Sequence, residues 1–190
     1  MRAPATLIAA ALGLTASGAM AQDLTHATQK LEFHGDAPAG CIANSAKASN
    51  QVNAIYQDGG ITGGVVLFPV FVDNTTAVAR SGSIELAIPV VCNTSHQITL
   101  RRNNGQMVRL GATGARSGSG GFAETADYNV ALQWQQQVVQ LTTPGATGAV
   151  SFGQPAKGDM IVDIALPQGA QPLVAGTYTD AVVVEIRPSN

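Results

Sequence analysis

The stretch Pro172-Leu-Val-Ala-Gly-Thr-Tyr-Thr-Asp-Ala-Val-Val-Val-Glu-Ile186 decides the reading of this chain. It predicts a turn around Gly176 followed by one long β-strand. Tyr178, Val182, Val184 and Ile186 share a parity, and side chains of one parity share a face of a pleated strand. Arg187, Pro188, Ser189 and Asn190 come next, and Pro188 has no N–H with which to extend a ladder. No later segment is therefore expected to hairpin back. An apolar strand with an open flank invites aggregation, so either an earlier segment covers it or another chain does.

Working outward, strand patterns dominate. Ile84, Leu86, Ile88 and Val90 alternate, Cys92 continues their parity, and Ile98 with Leu100 reads as the other half of a hairpin across Asn93-Thr-Ser95. Tyr128, Val130, Leu132 and Trp134 alternate as well, as do Met160, Val162, Ile164 and Leu166. Residues 64–72 form a β-rich run interrupted by Pro69, and Asn103-Asn-Gly105 signals a tight turn. Short strands separated by Gly, Pro and Asn predict an all-β fold, a β-sandwich. The one helical expectation is a turn or two within residues 45–56. Residues 111–121, rich in Gly and Ser, read as a loop.

The start of the chain reads as a secretion signal. Arg2 precedes a short apolar run over residues 5–14, and Ala19-Met-Ala21 places small residues at the cleavage positions. Residues 1–21 are thus the expected leader, residues 22–38 an arm, and residues 39–190 one domain, with no membrane span after cleavage. Ten basic residues against twelve acidic ones give a net charge of −2, which argues against nucleic acid as a partner. In an exported chain the isolated pair Cys41 and Cys92 reads as a disulfide. Closing a loop of that size stabilises by about 4 kcal/mol on a chain-entropy estimate. There is no Cys-x-x-Cys, and His96 alone falls near a ligand spacing from Cys92.

Catalysis is poorly supported. No Gly-x-Ser-x-Gly elbow or Gly-Lys-Ser/Thr loop is present, no nucleophile–base set can be named, and no cofactor or metal site is expected. Arg101, Arg102, Arg109 and Arg116 could form a basic patch for a glycan or other surface ligand on a self-complete sandwich. In the arm, Ala27, Leu31 and Phe33 share one parity, with Lys30 and Glu32 on the other. Such a segment can add itself as a strand to an open sheet edge in a neighbouring chain. Equally, residues 30–34 can be the first strand of the domain's own sheet.

Three stretches resemble a known family. Residues 84–100, with Cys92 and the Asn103-Asn-Gly105 turn beyond, Asp127-Tyr-Asn-Val-Ala-Leu132, and residues 168–186 with Val174-Ala-Gly-Thr-Tyr-Thr-Asp180 look like a pilus subunit of the bacterial chaperone–usher type. The likeness is to the spore coat protein U-like branch of archaic pili. Leu31-Glu-Phe-His-Gly35 ahead of Cys41 is similar to the entry of the first strand in pilins. The resemblance implies an incomplete immunoglobulin-like β-sandwich lacking its last strand, with a Cys41–Cys92 disulfide. A periplasmic chaperone would fill the gap first, and an outer-membrane usher would mediate export. The arm of an identical or related subunit, through Ala27, Leu31 and Phe33, would then enter an acceptor groove bordered by Tyr178, Val182, Val184 and Ile186. The expected product is a cell-surface fibre serving adhesion or biofilm formation. Between Ser45 and Thr76 the chain is longer than this resemblance implies.

Overall fold

A computed structural model describes residues 30–112, 119–141 and 147–189. The expected leader, Ala27 and Arg116 lie outside the described residues. Residues 30–36 belong to a unit separate from the domain that begins at Ala37. They carry no strand, and Leu31 and Phe33 are exposed. The expectation of a domain strand over residues 30–34 is therefore not met.

In chain order the domain's strands are β1 (Cys41–Ala43), β2 (Lys47–Val52), β3 (Ile55–Asp58), β4 (Gly64–Leu67), β5 (Gly82–Cys92), β6 (His96–Arg102) and β7 (Met107–Arg109). They continue with β8 (Thr125–Ala126), β9 (Asn129–Trp134), β10 (Gln137–Leu141), β11 (Thr147–Phe152), β12 (Ala156–Leu166), β13 (Tyr178–Thr179) and β14 (Val182–Pro188). One antiparallel sheet runs β1–β5–β12–β9–β10, with β2 also on the β1 flank of β5; a second runs β11–β6–β14. Two small sheets, β13–β7–β8 and β3–β4, complete an all-β sandwich.

The alternations read from the sequence form its core. Ile84, Leu86, Val90 and Cys92 of β5, Val130, Leu132 and Trp134 of β9, and Met160, Val162 and Leu166 of β12 are buried against Ile98 and Leu100 of β6. Asp159 and Asp163, on the opposite parity of β12, face outward. His96 follows the parity of Ile98 and is fully buried. Its Nδ1–H donates to the Thr94 carbonyl (3.0 Å), and its Nε2 accepts the Trp134 indole N–H at 3.1 Å. Burial of a polar ring is tolerable because both nitrogens are partnered.

Four expectations need correction. First, β5 and β6 are not a hairpin. The 93–95 turn carries the chain from one sheet to the other, so β6 pairs with β11 and β14 while β5 pairs with β1, β2 and β12. Alternation cannot separate these cases, since both strands present an apolar face to the same core. Asn93 instead ties back to the entry of β1, accepting from Gly40 N–H (2.7 Å) and donating to the Pro38 carbonyl at 2.8 Å. Second, residues 45–56 are not helical. The edge of β5 captures them as β2, with an irregularity between Ser49 and Val52 where Asn50 adopts a φ of 50°. Third, the final stretch is two strands in two sheets. The chain breaks at Asp180, whose carboxylate accepts the N–H groups of Asn104 and Ala181, both at 2.8 Å. The turn at Gly176 is as expected, with a φ of 151°. Fourth, the last strand runs through Pro188 rather than stopping at Ile186.

Candidate functional site

The register of β14 explains why Pro188 is tolerated. Asn103 N–H bonds to the Ala181 carbonyl and Ser189 N–H to the Ser95 carbonyl, both at 2.8 Å. Between these anchors Val183, Glu185 and Arg187 oppose Arg101, Thr99 and Gln97. In an antiparallel ladder closely bonded pairs alternate with unbonded ones. The bonded set is therefore the odd-numbered one, and Pro188, opposite His96, gives up no bond to β6. By the same alternation Val182, Val184 and Ile186 direct their N–H and C=O groups away from β6. Among the described residues no strand pairs with that flank.

Beside this flank lies a groove of about 530 Å³. The side chains of Val182, Val184 and Ile186 form one wall. Its floor is the inner face of the large sheet, Leu86 and Ile88 from β5 with Met160, Val162 and Ile164 from β12. The far side consists of Ala43 at the end of β1, Asn44 and Ala46 between β1 and β2, and Tyr56, Val66 and Phe68 from the β3–β4 ribbon with its tip. An apolar floor beside unpaired main-chain groups can accept an extended strand with alternating apolar side chains.

Three of the four groove residues expected from the sequence, Val182, Val184 and Ile186, come together here. Tyr178 does not. It sits in β13, buried against Phe71 (ring centroids 5.2 Å apart), with its hydroxyl near the carbonyls of Val174 and Ala123 at 2.7 and 3.0 Å. Burial raises its pKa above the usual phenol value. The floor and the ribbon wall were not assigned from sequence. Their parity was legible, but which part of an inward face stays uncovered is not a local property.

One end of the groove is polar. Tyr128 donates its hydroxyl to Asp180 at 2.7 Å, and burial, then this bond, pushes the phenol's pKa far up. The Arg102 guanidinium lies over the Tyr128 ring, 5.3 Å from its centroid, and donates to the Tyr128 carbonyl at 2.6 Å.

The described arginines of this set, Arg101, Arg102 and Arg109, do not present one exposed patch. Arg101 and Arg102 are neighbours in β6 and point to opposite faces, exposed and buried. Arg109 is committed to an ion pair with the half-buried Glu124. Cys41 and Cys92 are bonded to one another. Their sulfurs and a His96 nitrogen lie within 4.8 Å, but a disulfide sulfur is not a thiolate ligand.

No protein-family model matches the chain, and no curated protein matches it.

Proposed function

We propose that the protein is an exported structural subunit of a chaperone–usher pilus, related to the spore coat protein U-like branch. It polymerises by strand donation rather than acting as an enzyme. The arm of one subunit, residues 22–38, enters the groove of the next and pairs with the open flank of β14. Leu31 and Phe33 carry the apolar contact, with Ala27 on the same face. A periplasmic chaperone occupies the groove before assembly, and an usher exports the fibre to the cell surface.

The observation that supports this reading is the coincidence along β14 of unpaired main-chain groups with an apolar groove. The exposure of Leu31 and Phe33, 68% and 89%, supplies a matching donor. An open apolar edge of this kind is hazardous in a finished monomer. A self-complete sandwich reading a glycan through its arginines has less support, because Arg102 is buried and Arg109 is engaged by Glu124.

The test is thermal unfolding of the mature chain carrying Leu31→Asp and Phe33→Asp in its own arm, with a peptide of residues 22–38 added in trans. The expected result is a Tm that rises with peptide concentration, and no rise when the peptide bears the same two substitutions. A Tm indifferent to the wild-type peptide rejects the reading.

A further inference from the structure

The long segment between β2 and β5 folds into a feature the donor-strand reading does not require. Asn53, in a left-handed conformation with φ of 47°, uses its side-chain amide as a clasp. Its Nδ2 donates to the Val70 carbonyl (2.9 Å) and the Ser81 carbonyl (3.1 Å), and its Oδ1 accepts Val70 N–H at 3.1 Å. From this clasp hangs the β3–β4 ribbon.

Among the described residues the two strands of the ribbon pair only with each other. Among the described residues no main-chain hydrogen bond joins residues 54–69 to another element. Side chains alone hold the ribbon down. Phe68 seats on Gly82, where an added Cβ would come within 2.7 Å of the ring. Tyr56 and Val66, cross-strand partners, face the groove, while Ile55 and Leu67 are exposed on the other face. A segment with few main-chain ties and a fixed base opens at low free-energy cost.

We infer that β3–β4 is a flap that grips the strand lodged in the groove. It swings about the Asn53–Val70 clasp to admit residues 22–38 of a second copy, then closes with Tyr56 and Val66 against that strand. This rests on the donor-strand reading and adds a division of labour: β14 supplies main-chain pairing, while the flap sets how long the donor stays. Contacts formed after entry act mainly on dissociation.

The experiment uses the mature chain with Leu31→Asp and Phe33→Asp in its own arm, and a labelled peptide of residues 22–38. Association and dissociation rates are measured for this protein and for Tyr56→Ser, Tyr56→Phe and Val66→Ser versions. Hydrogen exchange of Ile55–Leu67 is followed with and without peptide. Dissociation is expected to quicken about tenfold in Tyr56→Ser and Val66→Ser with association little changed. Tyr56→Phe should keep the slow rate, and the ribbon amides should become protected in the complex. The exchange arm needs no flap substitution, so it stands even if a variant misfolds. Unchanged dissociation with no protection overturns the flap and leaves the donor-strand reading intact. Binding only after residues 54–69 are replaced by a short Gly-Ser link overturns it too, making the ribbon a plug. Absence of binding with and without the ribbon rejects both readings.

Discussion

The two edges of the β11–β6–β14 sheet are finished differently. At the β11 edge the layers are in direct contact. Gly148 presses on β10 so closely that a Cβ there would meet Val139 Cγ1 at 2.2 Å and Leu141 Cδ2 at 3.3 Å. Phe152 stacks on His96 at 4.9 Å between ring centroids, and His96 holds Trp134. At the β14 edge nothing among the described residues plays the part of β10, and the space between the layers is the groove. One sheet thus carries a sealed edge and, among the described residues, an open one. What separates them is a crossing strand from the opposite layer, not hydrophobicity, since Val182, Val184 and Ile186 of β14 are as apolar as Val150 and Phe152 of β11.

The contrast can be broken or sharpened by substitution. The largest effect is expected at the sealed edge. Trp134→Ala should destabilise by about 4 kcal/mol, through a large cavity and an orphaned His96 nitrogen. Denaturant titration should show the same loss with and without the arm peptide. Gly148→Val should cost about 2 kcal/mol by overpacking against Val139. An equal Tm for this variant would mean that the β10–β11 seal is looser than its geometry.

At the open edge the peptide is the discriminating reagent. Val184→Ser should cost the arm-disabled monomer only about 1 kcal/mol, because its groove face is unfilled. It should nevertheless remove most of the peptide-induced rise in Tm. If the loss were the same with and without peptide, the groove face would not be the donor contact. A smaller effect of opposite sign is expected at the turn joining β9 to β10, where Gln135 and Gln136 both take positive φ, 46° and 66°. Gln136→Gly should stabilise by roughly 0.7 kcal/mol, by relieving a conformation that glycine adopts freely. Chemical unfolding would reveal it as a higher midpoint at unchanged slope.

The smallest effect belongs to neither edge. Asp163 of β12 faces outward opposite Glu85 of β5, and the partial burial of its carboxyl against the sheet, then the Glu85 charge, raises its pKa above the usual carboxylate value. The folded state then holds a proton that the unfolded state has released, so this group lowers stability as pH rises through the window between the two pKa values. Asp163→Asn should raise stability slightly at neutral pH and flatten that dependence in a pH series of melting curves.

Much of the sandwich was legible. The inward faces of β5, β9 and β12 were read residue by residue, because period-two alternation is imposed by the pleat itself. The Cys41–Cys92 pair and the groove-facing parity of Val182, Val184 and Ile186 were legible too. The strand β10 was not, since its turn is made by two glutamines, residues without the usual turn chemistry. Nor was β2, which lacks apolar alternation and exists because β5 offers an edge.

The sequence by itself determined the class of fold, the disulfide and the face each long strand presents to the core, all consequences of local alternation and of cysteine number. Tertiary structure alone decided that β5 and β6 part into different layers, and that Tyr178 separates from Val182 at the Asp180 anchor. It likewise decided that the long segment after β2 becomes a ribbon over the groove. These outcomes depend on which edges and faces lie opposite one another in space, and a period of two is the same for a strand that pairs with its neighbour and for one that crosses over it.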